Sequence, residues 1–98
     1  MTATIGIGLV GYGAIGRLHA SVIQLLPQLY PALALRPQLV ALCAGGPRSQ
    51  ANAHRDYPQI PAMTWPEMLA AAQVDVVAIC TPTALHADHV RDALLAGK

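Results

Sequence analysis

The chain has 98 residues, of which 54% are hydrophobic and 11% are charged, and its formal net charge is +1. This composition excludes a disordered chain and a polybasic nucleic-acid arm, because both need more charge and less apolar surface. The length allows one small domain or a part of a larger one. We therefore expect a modest apolar core and no nucleic-acid partner.

The sequence does not indicate a membrane or targeting segment. The apolar stretch Val22–Val40 is interrupted by three prolines and an arginine, which argues against a membrane span. A secretory signal requires a Lys or Arg before its apolar stretch, and none precedes Ile5–Ile15. Two cysteines are too few for a disulfide framework. We expect a cytoplasmic protein without membrane contact.

The first half of the chain predicts two strands around one helix. Ile5–Val10 is short, apolar and followed by glycines, which is typical of a buried strand of a parallel sheet. Ala14–Leu26 has apolar residues at helical spacing, and Pro27 is expected to end that helix. Gln28–Pro37 then connects to a second buried strand, Leu39–Cys43.

The alternation of helices and strands continues after the second strand. Ser49–Arg55 is expected to be a short helix with its serine as the N-cap. Ile60–Thr64 predicts a third, short strand. Thr64 and Glu67 have the spacing of a capping box, which predicts a helix over Pro66–Ala72.

The last two predicted elements complete four strand–helix pairs. Val74–Cys80 predicts a fourth strand, and Ala84–Ala96 predicts a helix that Thr83 caps and Gly97 ends. Such alternation is typical of a parallel sheet with right-handed crossovers. The sequence therefore predicts an α/β fold, a Rossmann-type open parallel sheet with helices on both faces. In the strand order 3-2-1-4 of that fold, the first and fourth strands adjoin.

The glycine loop, Gly11–Gly16, has the pattern G-x-G-x-x-G between a predicted strand and a predicted helix. Gly11 allows a tight turn, Gly13 lets the backbone approach a diphosphate, and Gly16 lets the helix pack close to the strand. The helix N-terminus then offers free N–H groups to an anion. We expect the loop to bind a dinucleotide through Gly11, Tyr12, Gly13, Ala14, Ile15 and Gly16. A flavin or another nucleotide is the alternative ligand.

The end of the second predicted strand lacks the carboxylate that holds the ribose 2′-OH of NAD in this fold. No Asp or Glu precedes Asp56, and the strand is followed by small residues. A 2′-phosphate would fit beside Ala44 and would pair with Arg48 and Ser49. We therefore expect NADP to be preferred over NAD, while an ordinary exposed loop arginine is the alternative interpretation of Arg48.

The exit segment, Thr81–His86, follows the fourth predicted strand and is expected to face the glycine loop across a crevice. The stretches Val10–Ala20 (VGYGAIGRLHA) and Val74–His86 (VDVVAICTPTALH), with the closing Ala-Gly-Lys, resemble the Gfo/Idh/MocA oxidoreductases. This family includes glucose–fructose oxidoreductase and inositol dehydrogenase. The resemblance covers nearly the whole chain.

The resemblance implies contacts between the exit segment and the ribose and nicotinamide of the cofactor. The residues that it implicates are Thr81, Pro82, Thr83, Leu85 and His86. The family commonly has Asn at Thr83, and its usual acid after the second strand is replaced by Ala44. The catalytic lysine and the substrate domain of the family would follow Lys98. The chain is accordingly expected to be the N-terminal part of a Rossmann domain, truncated after the fourth strand and its helix, with no catalytic residues of its own.

The histidines and cysteines are not expected to form a metal site or a disulfide. His86 and His89 are three residues apart on one predicted helix, but no cluster of acids or cysteines accompanies them, so we expect no metal site. Cys43 and Cys80 end strands that lie on either side of the first strand, too far apart for a disulfide.

We expect the parent protein to transfer hydride between a nicotinamide cofactor and a carbinol or carbonyl carbon of a sugar or cyclitol. A non-catalytic dinucleotide sensor is the alternative function, and a methyltransferase-like fold is a third. The apolar strand Val74–Cys80 would form a sheet edge in the isolated chain, so we also expect a homo-oligomer.

Overall fold

The computed structural model describes residues 3–98 as a three-stranded parallel sheet with helices on both faces. The elements in chain order are β1 (Ala3–Val10), α1 (Ala14–Leu29), β2 (Leu35–Cys43), α2 (Pro47–Asp56), α3 (Trp65–Ala70), β3 (Val76–Ile79), a 3₁₀ turn (Thr83–Leu85) and α4 (His86–Leu95). This architecture confirms the predicted Rossmann-type fold. None of these helices is long and apolar enough to cross a membrane.

The strand order is β2-β1-β3, with β1 parallel to both neighbours. The first and fourth predicted strands therefore adjoin, as expected. The predicted third strand, Ile60–Thr64, is reduced to a single parallel bridge between Ala62 and Leu42 on the outer side of β2. Pro61 accepts a hydrogen bond from the Leu42 N–H through its carbonyl but has no N–H for a ladder. The prediction of a strand there was wrong, although the segment occupies the expected position.

Two prolines that were expected to interrupt structure lie inside elements. The helix α1 continues past Pro27 to Leu29, so the prediction that Pro27 ends it was wrong. Proline removes one hydrogen bond near the C-terminus, and the turn still closes because the Tyr30 N–H donates to the Leu26 carbonyl at 2.9 Å. Pro37 lies within β2, which begins four residues before its predicted start. Such a position is tolerated because β2 is an edge strand at that point within residues 3–98.

The two faces of the sheet bury separate apolar clusters. Leu9, Leu39 and Leu42 pack with Ile23 of α1 on one face, and Ala41 packs with Met68 and Val74 on the other. The spacing of the two β2 leucines departs from strict alternation because of a bulge. Leu39 pairs with Ile7 and Ala41 pairs with Gly8, so that Val40 is an extra residue.

The helix boundaries differ from the predictions at two N-termini. Gly46, with extended backbone angles, is the N-cap of α2, and Pro47 occupies the first turn, so the assignment of Ser49 as N-cap was wrong. Proline at N1 is pre-organised for a helix, so α2 begins at Pro47, two residues before its predicted start at Ser49. Thr83 also caps nothing, because it begins the 3₁₀ turn that precedes α4.

Two other helix ends follow the sequence closely. Thr64 and Glu67 form the predicted capping box, with the Glu67 carboxylate accepting from the Thr64 N–H at 2.9 Å. Gly97 has φ +79° and ends α4. Its N–H donates to the Leu94 carbonyl, and the Lys98 N–H donates to the Ala93 carbonyl, which is the Schellman arrangement.

Candidate functional site

The glycine loop lies where the carboxyl ends of all three strands meet. The Gly11 N–H donates to the Cys43 carbonyl at the end of β2 at 2.9 Å. A Cβ on Gly11 would lie 2.6 Å from the carbonyl carbon of Cys80 and 2.8 Å from the Thr81 nitrogen. Gly11 also has φ +95°, a conformation that side chains disfavour. This residue therefore holds the β2 and β3 ends against the loop, and no larger residue fits.

The N-terminus of α1 points out of this loop without a side-chain cap. Its N-cap is Gly13, and no side chain of residues 3–98 caps it, so the first-turn N–H groups are left available. A Cβ on Gly13 would meet no atom of the described residues within 4 Å, whereas a Cβ on Gly16 would lie 2.0 Å from the Gly11 carbonyl oxygen. Gly13 thus borders open space, and Gly16 permits close helix–strand packing.

Tyr12 directs its side chain away from the open side of the loop. The side chain is 4% exposed, and its hydroxyl donates to Asp56 Oδ2 at the end of α2 at 2.7 Å. Burial, together with the hydrogen bond to Asp56, raises the pKa of Tyr12 to about 12. The main chain of Tyr12 lies in the loop, while its ring belongs to the core.

Asp56 is a residue of this region that the sequence analysis missed. It accepts from Arg55 at 2.9 Å and from Tyr12, and Arg17 Nε lies 3.8 Å from its Oδ2. The hydrogen bonds from Arg55 and Tyr12 lower the pKa of the Asp56 carboxyl. Its position as the first acid after four arginines was the available signal.

The segment after β2 is small and open, as the ribose hypothesis requires. Cβ atoms on Gly45 and Gly46 would meet no described atom within 4 Å. Arg48 and Ser49 lie in the first turn of α2, and the exposed Arg48 has no ion-pair partner among residues 3–98. Ala44 accepts a hydrogen bond from Gln50 Nε2 at 3.3 Å, which ties the segment to α2.

A cleft of about 680 Å³ adjoins this segment. Its apolar residues come from the end of β2, from α2, from the segment before α3 and from the start of α3, and they include Cys43, Ala53, Ile60, Met63 and Trp65. Ala44 and Gly45 line the same cleft, so the cleft is continuous with the proposed ribose region. Burial raises the pKa of the Cys43 thiol, and both Cys43 and Cys80 are free.

The exit segment lies directly beside the glycine loop. The Cys80 N–H donates to the Val10 carbonyl at 2.8 Å, and the Cys80 carbonyl and the Thr81 nitrogen are the atoms that approach Gly11. His86 Nε2 donates to the Thr81 carbonyl. Three further predicted site residues are exposed on this segment: Pro82, Thr83 and Leu85. The structure thus brings the glycine loop and the exit segment together, while Arg48 and Ser49 lie in the first turn of α2, after the end of β2.

A second cluster behind the exit segment was also missed. The His89 ring lies 4.7 Å from the Trp65 ring, centroid to centroid, and Trp65 Nε1 donates to Asp92 Oδ2 at 3.1 Å. The spacing of His86, His89 and Asp92 at intervals of three residues was the available signal for a shared helix face. No group of three metal-ligating side chains occurs within residues 3–98.

Comparisons with known proteins agree with this geometry. The family model described as "Oxidoreductase family, NAD-binding Rossmann fold" (Gfo/Idh/MocA) matches residues 5–98. The oxidoreductase YrbE of Bacillus subtilis (strain 168) is 32% identical over 100 residues, which cover 100% of this chain and 27% of YrbE.

Two solved structures show the same fold. Levoglucosan dehydrogenase in complex with NADH and L-sorbose is 26% identical with a TM-score of 0.86, over 99% of this chain and 26% of that one. The scyllo-inositol dehydrogenase of Lactobacillus casei with bound NAD(H) and scyllo-inositol is 29% identical with a TM-score of 0.77, over 97% of this chain and 26% of that one. The chain therefore spans about a quarter of the length of these relatives.

Proposed function

This chain belongs to the Gfo/Idh/MocA oxidoreductase family, and on that premise we propose that it is the cofactor-binding part of an NAD(P)-dependent oxidoreductase. The reaction is hydride transfer between the nicotinamide and a carbinol or carbonyl carbon of a sugar or cyclitol. The single observation that carries this proposal is the uncapped N-terminus of α1 beside Gly13, where a backbone can be approached closely.

The glycine loop binds the diphosphate in this proposal. The first-turn N–H groups of α1 and the positive end of the helix dipole favour an anion at that position. Gly13 has no side chain that would exclude a diphosphate. Gly11 and Gly16 let the loop pack closely against neighbouring backbone. Tyr12 contributes its main chain, since its side chain is buried.

The exit segment and the segment after β2 hold the two ends of the dinucleotide. Thr81 and its neighbours up to His86 border the nicotinamide side, next to the glycine loop. When it is bound, the nicotinamide supplies the hydride chemistry, and this chain binds and orients it. The apolar cleft beside Ala44 suits the adenine ring.

The preference for NADP rests on charge at the ribose. No acid precedes Asp56 in the sequence, and the unpaired guanidinium of Arg48 is available beside an open loop. Arginine binds phosphate in a bidentate manner, so Arg48 and Ser49 together recognise a 2′-phosphate in this proposal.

The substrate and the assembly concern the whole protein. The two related dehydrogenases were solved with L-sorbose and scyllo-inositol bound, which supports a polyhydroxylated substrate. Since the chain covers about a quarter of these relatives, we place the catalytic groups in a further, substrate-binding part of the protein. The free thiols of Cys43 and Cys80 suit a reducing cytoplasm, and we expect a homo-oligomer.

A valine at Gly13 tests the proposed diphosphate site. A Cβ at Gly13 would meet no described atom within 4 Å, so we expect the variant to fold, which its thermal unfolding checks, while the valine blocks the approach of a diphosphate to the backbone. We expect Gly13→Val to weaken NADPH and NADH binding by about tenfold or more in calorimetric titrations. The control Ala87→Val places the same side chain at an exposed position of α4 and leaves affinity unchanged. Unaltered binding by Gly13→Val would refute the site.

An alanine at Arg48 tests the cofactor preference. Loss of a charge-assisted bond to the 2′-phosphate should weaken NADPH binding by about tenfold or more. NADH has no 2′-phosphate, so its dissociation constant is expected to stay the same. Equal losses for both cofactors would contradict the assignment of Arg48.

A further inference from the structure

The carbonyl and the hydroxyl of Thr81 both contact histidines of α4. Its carbonyl accepts from His86 Nε2, and its hydroxyl oxygen lies 3.0 Å from Nδ1 of His89. These contacts span five and eight residues, from the exit segment to the first turns of the helix. The His86 bond holds the main chain of Thr81, so that the hydroxyl is the group left to be oriented.

The ring of His89 is itself held from the other side. The indole of Trp65 packs edge-to-face against it at 4.7 Å, with 63° between the rings. Trp65 is in turn fixed by the bond from its Nε1 to Asp92 on α4. The imidazole therefore sits in one orientation between α3 and the exit segment, with Nδ1 directed at Thr81.

We propose that His89 is a positioning residue, which fixes the Thr81 hydroxyl for contact with the bound dinucleotide. This inference rests on the proposed function, since Thr81 borders the cofactor there. A threonine hydroxyl carries one proton and rotates freely unless a partner fixes it. The bond to Nδ1 occupies one of its hydrogen-bonding positions and leaves a defined one for the ligand. Without His89, the Thr81 hydroxyl would lose rotational freedom when the dinucleotide binds, and this loss would weaken binding.

Two substitutions of His89 separate this role from packing against Trp65. His89→Phe keeps an aromatic ring against the indole but removes the nitrogen that faces Thr81. His89→Asn loses the ring and retains a hydrogen-bonding group near the position of Nδ1. We expect NADPH affinity to fall about three- to tenfold in His89→Phe and to stay near wild type in His89→Asn. The reverse ranking would show that packing matters and would overturn the proposal.

A double-mutant cycle with Thr81→Val shows whether His89 acts through Thr81. Thr81→Val alone weakens binding, and adding His89→Phe should cause no further loss, because the hydroxyl is already absent. Additive losses would overturn the proposal. The control Leu94→Ala alters an exposed side chain of the same helix and leaves affinity unchanged, and thermal unfolding of each variant shows that it is folded. If the wild-type protein binds neither NADPH nor NADH, the proposed function itself fails and this inference fails with it.

Discussion

Tyr12 is part of the glycine loop by sequence and part of the core by its side chain. Its ring packs edge-on against Tyr57 at 6.4 Å, and its hydroxyl bonds to Asp56 across 44 residues of sequence. The glycine loop is therefore attached to the end of α2 as well as to β1. We therefore expect a substitution of the Tyr12 side chain to lower the stability of the fold more than it lowers cofactor affinity.

The raised pKa of Tyr12 predicts a loss of stability at alkaline pH. The folded state favours the neutral phenol, so its contribution to the free energy of unfolding is complete below pH about 10. That contribution is lost as pH rises through the folded-state pKa of about 12. We expect the stability of the Tyr12→Phe variant, measured by urea unfolding, to fall less steeply between these pH values than that of the wild type.

Tyr30→Phe is the matched control, because Tyr30 is 59% exposed. It should follow the wild-type pH profile. Identical profiles for Tyr12→Phe and wild type would show that the Tyr12 phenol does not contribute.

At the residue scale, spacing predicted the three glycines well and predicted the side-chain partners poorly. Gly11 and Gly16 meet backbone atoms in the way that the motif implies, because a turn between a strand and a helix is a local structure. The bond between Tyr12 and Asp56 joins residues 44 apart. Such a contact depends on how α1 and α2 pack, which no local pattern specifies.

The helix α3 has six residues and depends on its N-terminal cap. Thr64 accepts from the Glu67 N–H, and the Thr64 N–H donates to the Glu67 carboxylate, which lowers the pKa of that carboxyl. Thr64→Ala should therefore reduce the free energy of unfolding by about 1 kcal/mol in urea titrations.

Thr83→Ala provides the comparison for this helix cap. Thr83 makes no capping hydrogen bond, so its removal should change the stability by less than about 0.5 kcal/mol. Equal stabilities of the Thr64→Ala variant and the wild type would contradict the role assigned to the cap.

At the element scale, local hydrogen-bonding patterns predicted helix ends correctly, whereas the positions of prolines did not predict where elements end. The capping box and the glycine end of α4 were predicted because both are local hydrogen-bond patterns. Pro27 and Pro37 were expected to lie outside regular structure, yet the last turn of a helix and an unpaired strand edge tolerate a missing N–H. Which edge is unpaired is decided by the sheet, so the sequence alone could not reveal it.

The whole molecule exposes a continuous apolar stripe on the outer side of α1. Its residues recur at intervals of three and four along the helix: Ile15, Leu18, Val22, Leu25 and Leu29. Exposed stripes of this kind are typical of surfaces that pack against another helix. Together with the outer edge of β3, which has no neighbouring strand within residues 3–98, the stripe favours self-association.

We therefore expect the chain to form dimers or larger species in light scattering at high concentration. A charge at the centre of the stripe should shift the population toward monomer, and Val22→Lys combined with Leu25→Lys provides it. Leu94→Lys changes an exposed residue of α4, away from the stripe, and should leave the mass unchanged. A monomer at all concentrations for the wild type would contradict this expectation.

At the scale of the molecule, topology predicted which two segments adjoin. Parallel strands place their carboxyl ends at one edge, and the adjacency of β1 and β3 brought the glycine loop and the exit segment together as expected. The contact between the His89 and Trp65 rings, next to the exit segment, was not predictable, because the two residues belong to different helices. Their contact follows from the packing of α3 and α4 on the same face of the sheet.

The bulge at Val40 also bears on how the length of this chain can vary. Removing one residue from a strand normally turns every later side chain to the opposite face. Here Leu39 already pairs with Ile7 and Ala41 with Gly8, so we expect a chain lacking Val40 to form an uninterrupted ladder, with Leu39 and Leu42 still facing the same cluster. A deletion at this point would then cost the packing of Val40, and a shorter β2 would still lead into the same glycine loop.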